Sequence, residues 1–183
     1  IEFLEELKKN GVKDIPQIAE TQTIVYTCRR SDKNHVTIFA MKKDVEIAAL
    51  VKLDLENILA KMPKCLQRYF VSRESVAYTS LANVGMILHC APVLMNIGWI
   101  ENEKVDFRYY YDGISKSVAR YIEEMDSERI NVAKALGYKI DSVAEWLRRT
   151  YNIEGTDLYE CIKNNIAYRE IDAPPSLDSR YIY

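Results

Sequence analysis

A histidine set inside an apolar run is the first sign of chemistry in this sequence. From Leu81 to Ile97 the chain reads LANVGMILHCAPVLMNI, in which only Asn83, His89 and Asn96 are distinctly polar. An imidazole changes charge near neutral pH, so it can give or take a proton under conditions where most side chains cannot. If the run is helical, the neighbours of His89 are Ala82, Gly85, Met86, Pro92, Val93 and Asn96. Ala82 and Gly85 leave space beside the ring for a ligand or another backbone. Pro92 has no N–H, so the Leu88 carbonyl loses its helical partner, and a kink is expected next to His89. A core histidine bonded to a neighbouring carbonyl would share these features, and the residues alone leave both readings open.

The elements that must hold this histidine can be read from pattern. The run itself predicts a buried central helix, because two amides, an imidazole and a proline leave it short of the roughly 18–20 apolar residues of a membrane crossing. Residues 2–10 place Phe3, Leu4 and Leu7 on one helical side, with Gly11 as the stop. Thr23 to Arg29 and His35 to Lys42 are rich in β-formers and flank a turn-like Ser31-Asp-Lys-Asn34, which predicts a hairpin or two neighbouring strands. Ile47 to Met62 predicts a helix ending at Pro63, and Leu66 to Val71 a short extended piece before Ser75 opens the long helix. Tyr109 to Tyr111 form an aromatic cluster of the kind that closes a core, with stacking on a ligand as the alternative.

Farther on, Val118, Ile122, Met125, Val132 and Leu136 recur at helical spacing, predicting an amphipathic helix from Ser115 to Leu136 with Gly137 after it. Ser142-Val-Ala-Glu145 matches a capping box opening a helix through Tyr151, and Thr156 is expected to cap another running to about Tyr168. Ala173-Pro-Pro175 should end regular structure. The pattern as a whole is a β-containing N-terminal portion of about fifty residues followed by an all-helical domain.

Composition narrows the partners. A chain of 183 residues, 48% hydrophobic and 28% charged, can bury one full core. A formal charge of −2 argues against nucleic acid or an acidic membrane surface as the main partner. Cys28, Cys65, Cys90 and Cys161 show no metal-ligand spacing and only two histidines could join them, so no metal site is expected and the cysteines read as small core residues. Without a secretory segment or a disulfide framework, the cytoplasm is the expected compartment. The sequence contains no GxGxxG, P-loop or GxSxG motif. It opens on Ile1 and closes on Tyr183, and is expected to be a fragment of a longer protein.

Several stretches, none specific alone, together resemble the octopine/nopaline (opine) dehydrogenase family in order and spacing. They include Ile18-Ala-Glu-Thr21 with Tyr26 and Cys28-Arg29, Leu81-Ala-Asn83, His89 with Pro92, and Asn96-Ile-Gly98. Tyr111-Asp-Gly113, Ser117-Val-Ala119, Asp126-Ser-Glu-Arg129, Ala135-Leu-Gly137, Glu145-Trp146-Leu147 and Ser179-Arg-Tyr181 continue the match. The resemblance implies a mainly α fold: an all-helical domain like the C-terminal domain of 6-phosphogluconate dehydrogenase at residues 53–183, preceded at 1–52 by a small α/β remnant of an NAD(P)-binding Rossmann domain. It implies an enzyme that uses NAD or NADP to condense an amino acid reductively with a 2-oxo acid. The cofactor would be held mainly by an N-terminal domain outside this sequence, since the glycine-rich fingerprint of such a domain is absent here.

By resemblance, His89 is the catalytic acid/base, Arg180 holds a substrate carboxylate, Asn83 is a substrate-binding residue, and Glu20 lies at the cofactor side where the two domains meet. The chemistry suits them: proton transfer near neutral pH needs an imidazole, and carboxylates suit a forked guanidinium. The family's histidine also pairs with an aspartate whose position here would lie past Tyr183. This chain alone is therefore expected to be inactive and to bind dinucleotide poorly. Two other functions fit the residues: a non-catalytic helical module, whose long amphipathic helix would support a homodimer, and a two-domain dehydrogenase acting on a hydroxy acid.

Overall fold

The computed structural model describes residues 2–30, 32–102 and 106–178; Arg180 lies outside them. α1 (Glu2–Lys9) carries acidic residues in its first turn and lysines in its last, matching the helix dipole. It ends where Val12 N donates to Leu7 O and Gly11 takes φ +74°, the left-handed conformation expected there. β1 (Ala19–Thr21), β2 (Tyr26–Arg30), β3 (Val36–Met41) and β4 (Val45–Ala49) follow. β2 and β3 form the expected antiparallel hairpin, with a register shift between Thr27 and Cys28.

β4 corrects the sequence reading, which placed Ile47 to Ala49 at the start of a helix. The helical stretch is shorter, a 3-10 turn at Lys52–Asp54 and then α2 (Leu55–Lys61), followed by α3 (Lys64–Gln67) and β5 (Phe70–Ser72). β4 pairs antiparallel with β1 and parallel with β5, so α2 and α3 make the crossover of a β-α-β unit. Every residue of β4 is buried, which removes the alternation that marks a half-buried strand. Its Glu46 is accommodated by Arg73, whose Nη2 donates to Oε1 at 2.6 Å, and by the Tyr78 hydroxyl at 3.1 Å.

The expected single helix around His89 is a chain of short ones: α4 (Val76–Leu81), α5 (Gly85–Leu88), α6 (Cys90–Met95) and α7 (Ile97–Ile100). The breaks fall at Asn83, His89 and Asn96, the polar residues of the run. The break at His89 is the one expected from Pro92, and Asn96 turns the chain by donating to the Pro92 and Gly113 carbonyls at 2.7 and 2.9 Å. By length and composition Val76–Met95 could cross a membrane. Here α4, α5 and α6 all pack on a long helix, with Thr79, Ala82, Val84, Leu88, Ala91 and Val93 buried.

That long helix is α8 (Lys116–Ala135), capped by Ser115 and stopped before Gly137 at φ +83°. α9 (Val143–Tyr151) opens with both arms of the capping box at Ser142 and Glu145. α10 (Leu158–Asn164) is capped by Asp157 rather than by Thr156, whose hydroxyl instead bonds Glu160, and it ends before a 3-10 turn at Ile166–Tyr168. The cysteine expectation holds for buried Cys161 and fails for Cys65, which is exposed. The fold is mainly helical with a small strand portion towards the N-terminus, and its main core joins Val84 to Ile122 with Trp146, Leu147, Leu158 and Tyr168.

One buried ion pair joins the helices behind His89. Asp126 and Arg129 on α8 are 3% and 5% exposed. Arg129 Nε donates to Asp126 Oδ1 at 2.8 Å, Nη1 to Leu81 O at 2.6 Å and Nη2 to Asp141 O at 2.7 Å. Asp126 Oδ2 accepts from Val143 N at 2.6 Å. Removing the guanidinium would leave a buried carboxylate without its countercharge and two carbonyls unpaired. Arg129→Met is therefore predicted to lower unfolding free energy by about 3–5 kcal/mol. Urea denaturation checks this, and a loss below about 1 kcal/mol would contradict it.

Candidate functional site

The C-terminus of α4 leaves carbonyls that the helix cannot satisfy itself. Leu81 O is taken by Arg129, and Ala82 O by Gln22 Nε2 at 2.7 Å, so an arginine of α8 and a glutamine following β1 fix the same turn. Asn83 then closes an Asx-type turn, its Oδ1 accepting from Gly85 N at 2.9 Å. One helical turn later stands His89, whose backbone N donates to Gly85 O at 2.9 Å and whose carbonyl accepts from the Tyr109 hydroxyl. A Cβ built on Gly85 would sit 2.9 Å from Asn83 Oδ1 and 3.5 Å from His89 Cε1, so the glycine keeps the space beside the ring open.

This turn forms one wall of a cleft of about 570 Å³, a volume within the ordinary range for small-molecule sites. Residues of the segment from Thr21 to Arg29, together with Lys42, also line it. The floor is aromatic. Tyr110 stacks on Tyr168 at 4.2 Å, Tyr151 meets Tyr168 edge-on at 5.4 Å, and Trp146 meets Tyr151 at 5.8 Å. Thr27 Oγ1 and the Tyr151 hydroxyl lie 2.7 Å apart, which ties β2 to α9 across the base of the cleft. Burial pushes the Tyr151 and Tyr168 hydroxyls above the usual phenol range, so both stay protonated and act as neutral hydrogen-bonding groups.

His89 and Asn83 thus line one cleft, while Glu20 does not. The Glu20 carboxylate faces α4, accepting from Thr79 Oγ1 at 2.6 Å and Ser80 Oγ at 2.8 Å, so it ties β1 to the helix that leads to the site. Of Tyr109 to Tyr111, the first two are buried and Tyr110 lines the cleft. The cluster closes the core, as expected.

Lys42 was not singled out by the sequence, where it closes the strand expected from His35 to Lys42. It is 6% exposed, and its Nζ donates to Ile24 O at 3.0 Å and Tyr26 O at 3.1 Å. Burial lowers its pKa to about 8, with the Cys28 charge opposing that shift. The unfolded chain would then hold the Lys42 proton up to an ordinary value near 10.5 while the folded chain releases it near 8, so folding is favoured as pH rises between the two. Urea midpoints of wild type and Lys42→Met should accordingly converge or cross in the wild type's favour from pH 7.5 to 9.5. A difference independent of pH would contradict the burial of a titrating amine.

The alpha-helical domain of the NAD/NADP octopine/nopaline dehydrogenases matches residues 72–183. An opine dehydrogenase of Arthrobacter sp. strain 1C is 35% identical over 183 residues, which is all of this chain and 50% of that protein. A vitopine synthase of Allorhizobium ampelinum is 25% identical over 168 residues, covering 90% of this chain and 45% of its own length. The fold is similar to that of octopine dehydrogenase solved with NADH and L-arginine, with a TM-score of 0.65 and 17% identity over 90% of this chain and 47% of that one. The same enzyme in complex with NADH and agmatine gives a TM-score of 0.64. This chain spans about half the length of these relatives. With the helical-domain match extending over more than half of its residues, the chain belongs to the octopine/nopaline dehydrogenase family.

Proposed function

We propose that this chain supplies the substrate-binding and proton-transfer half of an NAD(P)-dependent opine dehydrogenase, which condenses an amino acid reductively with a 2-oxo acid. The observation that carries the reading is the placement of His89 on a broken helix, beside the gap kept by Gly85, in a cleft that residues of the β2 segment also line. In this reading the amine attacks the oxo carbon and His89 delivers the proton that lets the carbonyl oxygen depart as water, leaving an imine. NADH or NADPH, when bound, supplies the hydride that reduces the imine carbon. The residues present fit a nicotinamide end, because Thr21 to Thr23 and the aromatic floor border an open cleft of suitable size. The dinucleotide's phosphates are assigned to the domain that precedes this one, since the chain carries no phosphate-cradling loop.

The remaining roles are assigned in the same spirit. Asn83 orients substrate from the turn before His89, and Arg180 holds one substrate carboxylate. Glu20 serves the cofactor side indirectly, by fixing β1 against α4 next to Thr21. The compartment assigned is the cytoplasm, where thiols such as those of Cys28, Cys65 and Cys90 stay reduced. A homodimer is the assembly carried with this reading.

The test uses the full-length protein. NAD(P)H oxidation with pyruvate should require an amino acid, and oxidation at full rate with the 2-oxo acid alone would replace this reading by a hydroxy-acid dehydrogenase. His89→Ala should lower turnover by about 10²- to 10⁴-fold while the urea midpoint holds. A near-normal rate with a large drop in midpoint would make His89 a core residue instead. Gly85→Ala should favour helix by about 1 kcal/mol on propensity alone. Its methyl nevertheless displaces Asn83 and crowds the imidazole, so kcat/KM should fall by about 10- to 100-fold. An unchanged kcat/KM would mean that the space beside His89 has no part in the reaction.

A further inference from the structure

Lys42 holds a charge that its structural contacts do not need. Its two hydrogen bonds, to the Ile24 and Tyr26 carbonyls, pin the segment leading into β2. A neutral amine has two N–H donors and could make both. The ammonium has a third proton and a full positive charge, and among the described residues no carboxylate pairs with it. Such a charge, 6% exposed, is unfavourable unless an anion joins it. Within its own cleft, Lys42 stands among lining residues that include no aspartate or glutamate among those described. The Lys42 ammonium thus keeps one proton and its charge for an anion that enters the cleft.

The proposed product carries two carboxylates, and Arg180 accounts for one. We propose that Lys42 is a substrate-binding residue, whose third ammonium proton holds the second carboxylate of the amino acid and 2-oxo acid pair. This rests on the opine dehydrogenase reading and adds to it a carboxylate subsite in the same cleft as His89. The other ionisable groups lining the cleft are Tyr26, Cys28 and Arg29 on β2, His89 and Cys90 on the helical wall, and the tyrosines of the floor. Among the described residues, Cys28 is the group whose negative charge would draw on the Lys42 ammonium.

The experiment is run on the full-length protein in two parts. In steady-state kinetics with pyruvate and an amino acid, Lys42→Met should raise KM for one of the two acids by about 10- to 100-fold, the worth of a charge-assisted hydrogen bond, with kcat within about threefold. Lys42→Arg should recover part of the loss. If wild type shows amino-acid-dependent activity and Lys42→Met moves neither KM, this inference is overturned while the enzyme reading stands. The second part needs neither turnover nor a folded Lys42 variant. Pyruvate binding is measured calorimetrically at pH 8.5 in phosphate and in Tris, whose ionisation enthalpies differ. Closing an anion onto a partly neutral amine should draw in a fraction of a proton, and that uptake should persist in Cys28→Ser. Absence of uptake, or its loss in Cys28→Ser, overturns the assignment to Lys42.

Discussion

The arrangement around His89 depends on how the C-terminus of α4 is satisfied. A helix that stops inside a protein leaves carbonyls without partners, and leaving them bare in the interior is costly. Here the Arg129 guanidinium reaches from α8 to Leu81 O while Gln22 reaches from the N-terminal unit to Ala82 O. Asp126 neutralises Arg129 and at the same time accepts the first N–H of α9. One charge pair therefore fixes where α4 ends, where α9 begins and how both sit on α8. The Asn83 to Gly85 turn, and with it the imidazole, is held from both sides of the cleft.

This explains why an apolar run adopts a broken path. An unbroken helix from Val76 to Met95 would satisfy its interior backbone except at the Leu88 carbonyl facing Pro92, and it would leave His89 as one more residue on a helical face. Interrupting it at Asn83 and again at His89 places the imidazole at a junction, where Pro92 has already removed a helical hydrogen bond and Gly85 leaves space. The open polar groups created by the breaks are taken up one by one: Asn83 by Gly85 N, the His89 carbonyl by Tyr109, and Asn96 by the Pro92 and Gly113 carbonyls. The same strategy of satisfying irregular backbone locally lets a buried segment carry a site.

Much of this was legible in the sequence where a local rule decides the outcome. The hairpin, the glycine stops after α1 and α8, the Ser142 capping box and the kink at His89 follow from turn, cap and proline chemistry within a few residues. What escaped depended on partners distant in sequence. β4 reads as VEIAA, in which Glu46, Ala48 and Ala49 favour helix as much as Val45 and Ile47 favour strand, and it becomes a strand because β1 and β5 pair with it on either edge. Asn83 and Gly85 form an Asx turn that the apolar context concealed. Lys42 was only the last residue of an expected strand, and its burial depends on the hairpin that places it against the Ile24 and Tyr26 carbonyls. His89 and Asn83 were named from family resemblance, and the structure brings both into one cleft; Glu20 lies behind it, against α4.

The central claim is that the cleft between the β-rich wall and the Asn83 to His89 segment receives the reacting carbon. A crystal structure of the full-length protein with NADH and pyruvate tests it most directly. The account predicts pyruvate within the cleft, with its carbonyl oxygen about 3 Å from a ring nitrogen of His89 and the gap beside Gly85 filled by substrate. Pyruvate bound at another place, with His89 packed away from it, would contradict the account.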